Sequence, residues 1–192
     1  GGSVHHVGRF SPGSITRALE SGASMVFGVP TMYGRLIDAG EADRRVARAL
    51  AGARLLVSGS AGLPAIQHRR MTSLSGQRIA ERYGMTETLM ITAVRHDEER
   101  TPGYVGRPLA GVEVRLLDDS GGVIETPDHE SRGEVAVRGP SLFGGYLNRP
   151  DISAQSFRDG WFLTGDLATR GANGYLRMAG RRSLDIIKSG GF

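Results

Sequence analysis

One short segment of the chain combines residue types that can bind a phosphorylated ligand and a metal ion. Residues 83–88 read Tyr-Gly-Met-Thr-Glu-Thr and follow a run that predicts a strand, 78–83. The ring of Tyr83 offers a face on which a base can stack, the hydroxyl of Thr86 can donate to a phosphate oxygen, and Glu87 is a hard oxygen ligand suited to Mg²⁺. A capped helix start is the alternative, and it leaves the Tyr-Gly pair unexplained.

Two further segments bring a carboxylate and a lysine. An apolar run ends in Thr164-Gly165-Asp166, and a carboxylate at the end of a strand can accept both hydroxyls of a ribose. A turn aspartate is the common alternative at such a position. Near the end of the sequence, Lys188 is the only lysine and lies between two isoleucines and Ser-Gly-Gly. A polar strand with a flexible tail would also explain that segment.

Small residues follow another predicted strand, 54–58. Gly59, Ser60 and Ala61 come directly after it and precede a helix that is predicted to begin at Pro64. Small side chains let a flat ligand approach the backbone, whose N–H and C=O groups can bind an adenine edge. On this segment alone, a strand-to-helix turn that needs glycine for its dihedral angles is the better interpretation.

The elements that must position these residues differ between two halves of the chain. Up to residue 95, predicted strands at 4–7, 24–29, 54–58 and 78–83 alternate with predicted helices at 14–21, 30–37, 42–51 and 64–74. Such alternation indicates an α/β fold with a mostly parallel sheet and flanking helices, whose ligands collect at the carboxyl ends of the strands. From about residue 105, apolar runs between turn residues predict a small antiparallel sheet or barrel.

The composition excludes several kinds of site. The 192 residues contain no cysteine, so disulfides, thiolate metal sites and a cysteine nucleophile are excluded. We find no apolar run of about 18 residues and no signal-peptide pattern, and we therefore expect a soluble cytoplasmic protein with no membrane span. The net charge is +4, but the arginines are dispersed among acidic residues, so we expect no binding to nucleic acid.

In this order, the segments resemble the adenylate-forming superfamily, which contains acyl-CoA synthetases, luciferases and the adenylation domains of peptide synthetases. Residues 83–87 resemble its central motif, 164–166 its ribose-binding motif and 180–191 its hinge motif. More narrowly, residues 27–33 and 81–90 are similar to those of bacterial malonyl-CoA synthetases, as are the small-residue segment and the Gly-Tyr-Leu-Asn-Arg-Pro stretch before residue 151.

The resemblance implies a reaction in two halves. A carboxylate attacks the α-phosphate of Mg·ATP, giving an acyl-adenylate and pyrophosphate, and the thiol of CoA then attacks the acyl carbon and expels AMP. The implied cofactors are ATP or AMP and Mg²⁺, with CoA as co-substrate. Malonate is the first choice for the carboxylate and a fatty acid the second. The second carboxylate of malonate would need a cation, for which Arg35, Arg69 and Arg70 are candidates beside a plain surface role.

The resemblance also implies roles for residues on the motif positions. Thr86, Glu87 and Lys188 would be the catalytic residues, with Glu87 as the metal ligand. The residues implied for binding of the nucleotide are Gly59, Ser60, Ala61, Tyr83, Gly84, Met85, Thr86, Asp166 and Arg181.

The resemblance runs through the whole chain but covers only part of the family's architecture. Residues 1–100 are expected to form a partial α/β subdomain with the adenine and phosphate motif, 101–181 a small β-barrel subdomain, and 182–192 a hinge segment. The upstream phosphate-binding loop and the C-terminal domain are absent from the sequence. We expect a piece of the large N-terminal domain, inactive alone, with the missing parts as intramolecular partners.

Two other functions remain open. An adenylation domain would pass the acyl group to the phosphopantetheine of a carrier protein instead of CoA. A remnant of the fold could serve as a non-catalytic nucleotide-binding or interaction module.

Overall fold

The computed structural model describes residues 2–182, and these form two compact units. The first unit comprises residues 2–82 and 94–103, and the second comprises residues 83–93 and 104–182. The hinge positions after residue 182, and Lys188 with them, lie outside the described residues. No helix in residues 2–182 has the length and the apolar character that a membrane crossing requires.

The first unit is built from parallel strands and helices. In chain order it contains α1 (Pro12–Glu20), β1 (Met25–Gly28), α2 (Pro30–Ala42), α3 (Arg44–Ala51), β2 (Leu55–Ser58), α4 (Ala65–Ser75) and the start of β3 (Ala80–Met85). β1 pairs with β2 and β2 with β3, both in parallel. The buried side chain of Tyr33 in α2 ties the helix to the sheet, because its hydroxyl contacts the carbonyl oxygens of Val26, at 3.1 Å, and Val57, at 2.9 Å.

The chain before α1 differs from the prediction. The strand predicted at residues 4–7 is wrong, because these residues have no strand partner and Val4 is 97% exposed. α1 starts two residues earlier than predicted, because Ser11 caps it. The hydroxyl of Ser11 accepts from the N–H of Ser14, and the hydroxyl of Ser14 accepts from the N–H of Ser11. The other predicted elements of this unit are confirmed in type, with the helix predicted at 42–51 beginning after the cap Asp43.

The second unit is dominated by an antiparallel sheet. After the end of β3 it contains β4 (Leu89–Ala93), β5 (Arg107–Pro108), β6 (Glu113–Leu117), β7 (Gly133–Arg138), α5 (Pro150–Gln155), β8 (Phe157–Arg158), β9 (Trp161–Arg170) and β10 (Leu176–Arg181). The order of the main strands is β10-β9-β7-β6, with β8 on β9, and the sheet curls into half a barrel. The predicted fold class, a parallel sheet with helices followed by a small antiparallel barrel, is confirmed.

Apolar residues of this sheet, together with Ile91 of β4 and Val105 before β5, form the core of the second unit. The buried members of this core are Ile91, Val105, Leu116, Val135, Val137, Ala168 and Leu176. The long strand β9 has the central position between β7 and β10, and it contains the predicted ribose-binding residues 164–166. The core therefore fixes the backbone on which that motif is placed.

Candidate functional site

Residues 86–88 form the turn of the hairpin between β3 and β4. A helix does not begin there, so the capped-helix interpretation of Thr86 and Glu87 is wrong. Thr86 is exposed at the tip and Glu87 is half-buried. The side chain of Thr88 is buried, and its hydroxyl donates to the carbonyl oxygen of Leu89 at 3.1 Å. The hairpin turn thus presents the hydroxyl of Thr86 and the carboxylate of Glu87, and the buried side chain of Thr88 stabilises the turn.

Gly84 is required by the close approach of the two strands. A Cβ atom at this position would collide with the carbonyl oxygen of Leu89 and lie about 3.0 Å from the Cα of Met90. No other residue type fits there without a shift of the backbone. This contact explains the glycine of the Tyr-Gly pair without reference to a ligand.

The carboxylate of Asp166 joins two residues that are far apart in sequence. The hydroxyl of Tyr83 donates to its Oδ2 at 2.7 Å, and Nε of Arg181 donates to its Oδ1 at 2.8 Å. Asp166 is only 8% exposed, whereas the side chain of Arg181 is 51% exposed. The three predicted binding residues are therefore brought together, with the carboxylate inside and the cation at the surface.

The pairing of β9 with β10 places Asp166 opposite Arg181. The two residues are register partners, and the register shifts by a bulge between Met178 and Gly180. The backbone N–H of Asp166 donates to the hydroxyl of Thr164 at 3.1 Å, and that hydroxyl donates to the carbonyl oxygen of Val135 at 2.8 Å. The bulge and these bonds orient the carboxylate.

A second pair of opposite charges lies beside the first. Nη1 of Arg182 donates to Oε2 of Glu134 at 2.7 Å, and the N–H of Gly165 donates to Oε1 of the same carboxylate at 3.1 Å. Gly165 has a φ of +72°, a conformation that glycine adopts at little cost. The sequence analysis did not identify Glu134 or Arg182; the only signal for the latter was its place beside Arg181.

The surroundings favour the protonated forms of Tyr83 and Arg181. Burial raises the pKa of Tyr83 well above its ordinary value, and the charge of Asp166 raises it further, whereas a hydrogen bond with Thr164 lowers it. The hydrogen bond to Asp166 raises the pKa of Arg181, and the charge of Glu87 adds to this effect. Both residues are therefore hydrogen-bond donors at neutral pH.

Glu87 has a partner that the sequence analysis missed. The hydroxyl of Tyr146 donates to Oε1 of Glu87 at 2.9 Å, and the N–H of Phe143 donates to the carbonyl oxygen of Glu87 at 2.8 Å. The only sequence signal was the Gly-Tyr-Leu-Asn-Arg-Pro stretch, which was noted for its resemblance and not for a role. No group of three or more acidic or histidine side chains that could hold a metal ion occurs in residues 2–182.

The small residues after β2 belong to the first unit. The N–H of Gly59 donates to the carbonyl oxygen of Gly28 at 3.2 Å, and Ser60 has a φ of +70°. Ser60 and Ala61 are exposed, whereas Ser58 is buried, and its hydroxyl has no hydrogen-bond partner within residues 2–182. The segment thus makes a tight turn after β2, and its residues Ser60 and Ala61 are exposed to solvent.

Among the curated and solved proteins that are similar to this chain, several are named as malonate–CoA or malonyl-CoA ligases. A malonate–CoA ligase of Arabidopsis thaliana is 42% identical over 171 residues, which is 86% of this chain and 27% of that protein. A solved malonyl-CoA ligase with methylmalonyl-CoA and AMP bound is 55% identical, with a TM-score of 0.90 over 96% of this chain and 39% of its own. ATP-bound MatB from Rhodopseudomonas palustris is 38% identical, with a TM-score of 0.81 over 90% of this chain and 33% of its own.

The chain spans between 27% and 39% of the length of these three proteins. A family model described as AMP-binding enzyme matches residues 1–147, which is more than half of the chain. The chain therefore belongs to the family of AMP-binding enzymes.

Proposed function

We propose that this chain is part of an ATP-dependent ligase that joins a carboxylate, malonate as first choice, to CoA. The observation that carries the proposal is the hydrogen-bonded set of Tyr83, Asp166 and Arg181 in a member of the AMP-binding enzyme family. Malonate is supported by the names of the similar proteins, one of which was solved with methylmalonyl-CoA and AMP.

Asp166 is the proposed ligand of the ribose. Its two oxygens each accept one hydrogen bond, from Tyr83 and Arg181, and a carboxylate oxygen can accept a second. Ribose hydroxyls can therefore bind without loss of either contact. The exposed part of Arg181 leaves N–H groups of its guanidinium for the same hydroxyls.

The base and the α-phosphate are assigned to the remaining motif positions. The ring of Tyr83 would stack on the adenine, and Thr86 at the exposed tip of its turn would donate to the α-phosphate. Gly59, Ser60 and Ala61 of the first unit keep the adenine-lining role that the resemblance implies, and Gly84 and Met85 of the second unit keep the implied role in nucleotide binding.

Glu87 is the proposed protein ligand of the Mg²⁺ that accompanies ATP. Mg²⁺ is usually bound by one or two carboxylates together with phosphate oxygens, so one carboxylate fits an ion that arrives with the nucleotide. Tyr146 bonds Oε1, and no hydrogen bond to Oε2 is found among the described residues. When bound, the ion neutralises charge on the phosphates.

The reaction chiefly requires positioning and neutralisation of charge. An oxygen of the substrate carboxylate forms a bond to the α-phosphorus while the bond from that phosphorus to the bridging oxygen breaks, and pyrophosphate leaves. The thiol of CoA then loses its proton to solvent and its sulfur bonds to the acyl carbon, while the bond from that carbon to the phosphate oxygen breaks and AMP leaves with the electron pair. Thr86 and Arg181 hold the nucleotide in both steps, and Lys188 is proposed to act in the second.

The second carboxylate of malonate requires a cation. Arg70 already donates to Asp38, at 2.7 Å, and to Glu41, at 2.6 Å, so its charge is matched at the surface of α4. Arg35 lies over the ring of Phe10, with 5.0 Å between the guanidinium carbon and the ring centroid. Arg70 is therefore the least suited of the three arginines to bind the substrate carboxylate.

The experiment is an assay of AMP release by the full-length protein that contains this chain. We expect release that depends on ATP, CoA and malonate together, and no release from the 192-residue chain alone. A preference for a fatty acid would replace malonate by the second substrate class. Release that depends on a carrier protein and not on CoA, or binding of AMP without turnover by the full-length protein, would overturn the ligase assignment.

A further inference from the structure

The side chain of Tyr146 contacts the proposed metal ligand, and the proposed function gives it no role. Its hydroxyl donates a hydrogen bond of 2.9 Å to Oε1 of Glu87. We propose that Tyr146 is a positioning residue, which holds the carboxylate of Glu87 so that Oε2 is presented to the divalent cation of the nucleotide. The inference rests on the proposed function, because it takes Glu87 as the ligand of that cation.

The loop that carries Tyr146 is anchored on the same residue by its backbone. The N–H of Phe143 donates to the carbonyl oxygen of Glu87 at 2.8 Å, and the rings of Phe143 and Tyr146 meet edge to face with their centroids 4.8 Å apart. The backbone and the side chain of Glu87 are thus held by one short loop. Two contacts from the same loop, one to the backbone of Glu87 and one to its side chain, fix the direction of the carboxylate better than a single hydrogen bond from a mobile side chain would.

The far side of the loop is held by α5. Oγ of Ser153 accepts a hydrogen bond of 2.8 Å from the N–H of Tyr146, and the same oxygen donates to the carbonyl oxygen of Arg149 at 2.9 Å. Gly145 has a φ of +133°, which lets the chain turn before the tyrosine. The backbone of Tyr146 is therefore also held by contacts that do not involve Glu87, as a positioning role requires.

A tyrosine suits this role better than a cationic residue. The phenol hydroxyl of a tyrosine is an uncharged hydrogen-bond donor at neutral pH. An arginine or lysine in its place would cancel the charge of Glu87 and compete with the metal ion. A neutral donor orients the carboxylate and leaves its charge available, as partners of metal ligands commonly do.

The test measures binding of Mn²⁺ to the full-length protein by electron paramagnetic resonance, with a non-hydrolysable ATP analogue present. We expect Tyr146→Phe to weaken Mn²⁺ binding about tenfold, the lower end of the usual loss when a partner of a metal ligand is removed. The affinity for AMP, measured without a divalent cation, should stay unchanged. An unchanged or tighter affinity for Mn²⁺ in Tyr146→Phe would overturn the proposal.

Two further variants make the result specific. Tyr104→Phe is the matched control, because its hydroxyl contacts Nδ1 of His129 at 3.1 Å and not the hairpin turn, and it should bind Mn²⁺ like the unaltered protein. Glu87→Gln should weaken binding more than Tyr146→Phe does. If Glu87→Gln binds Mn²⁺ normally, the metal assignment within the proposed function fails; if only Tyr146→Phe does, the positioning role alone fails. Thermal melting without cation checks that both variants are folded.

Discussion

Tyr83 and Asp166 are separated by 83 positions in the sequence, and the hydroxyl of one donates to the carboxylate of the other at 2.7 Å. The contact links the end of β3 to the middle of β9, so the central motif and the ribose motif of the second unit meet directly. Because Asp166 is buried and also accepts a hydrogen bond from Arg181, its carboxylate is held in one orientation before a nucleotide binds. Such preorganisation reduces the cost of binding.

Replacement of Asp166 by asparagine tests the ribose assignment. Asp166→Asn keeps the size of the side chain but removes the charge that strengthens its hydrogen bonds, so we expect the affinity of the full-length protein for AMP to fall at least about tenfold. Calorimetric titration with AMP in the absence of Mg²⁺ measures the effect without involving Glu87.

The control for this variant is Asp151→Asn. Asp151 also pairs with an arginine, Arg149, at 2.9 Å, but both side chains are more than half exposed, so its loss should be nearly neutral. Equal affinities for AMP in the folded Asp166→Asn variant and the unaltered protein would show that Asp166 does not hold the ribose.

The tyrosines predict how stability changes at alkaline pH. Burial raises the pKa of both Tyr33 and Tyr83 above the ordinary value near 10, the value that an unfolded chain has. Below about pH 10 their contribution to stability is complete; above it the unfolded chain releases protons that the folded chain retains, so the free energy of unfolding falls. Denaturation in urea at about pH 9 and about pH 11 should show the loss.

The variants Tyr33→Phe and Tyr83→Phe identify the source of this loss. Each lacks one of the late-titrating hydroxyls and should therefore lose less stability between the two pH values than the unaltered protein. Absorbance of tyrosinate in the folded protein gives a second readout. Ionisation of all tyrosines near pH 10 without unfolding would contradict the prediction.

The sequence predicted those features that depend on local patterns. Strands and helices of the first unit follow from apolar runs, from helix propensity and from first-turn residues such as Pro30, all of which act locally. The strand predicted at residues 4–7 fails because a strand needs a partner, which its own residues cannot supply. α5 escaped prediction because it has six residues, none of them buried, and so shows no apolar period.

The candidate site depends on contacts between distant positions, and there the sequence was informative only through resemblance. Asp166 and Arg181 were assigned by their motifs, but nothing local links Tyr146 to Glu87, which lies 59 positions away. Gly84 shows the opposite case. The sequence shows that a glycine stands there, but the reason that only glycine fits, the approach of the Leu89 carbonyl oxygen, exists only in the folded hairpin.

Substitution of Gly84 by alanine tests that cause. Gly84→Ala should destabilise the protein by about 1–3 kcal/mol, because the added methyl group forces the two strands of the hairpin apart. It should also weaken AMP binding, since Tyr83 lies directly before the displaced backbone. Gly62→Ala is the control for stability, because a Cβ there meets no atom within 4 Å, and its effect should stay within about 0.5 kcal/mol. Equal stabilities of the two variants would refute the steric explanation.

A buried carboxylate two residues before the central motif predicts the largest loss of stability. The side chain of Glu81 is 3% exposed, and its oxygens accept from the N–H of Gly103 at 2.7 Å and of Leu63 at 3.1 Å. Nε2 of His68 lies 2.9 Å from the same carboxylate. Glu81→Ala removes the hydrogen-bond partner of these three groups, of which Leu63 and His68 are buried, and each buried polar group left unsatisfied costs about 1–3 kcal/mol.

The matched control is Glu41→Ala on the surface of the same unit. Glu41 pairs with a cation, Arg70, at 2.6 Å, but its side chain is 48% exposed, and exposed pairs contribute about 1 kcal/mol or less. Denaturation of both variants of the full-length protein by urea compares them directly. A loss in Glu81→Ala no greater than that in Glu41→Ala would mean that water reaches the three partners of Glu81, contrary to the burial found here. A large loss confined to Glu81→Ala would instead show that the hydrogen bonds of the buried carboxylate hold β3 in place.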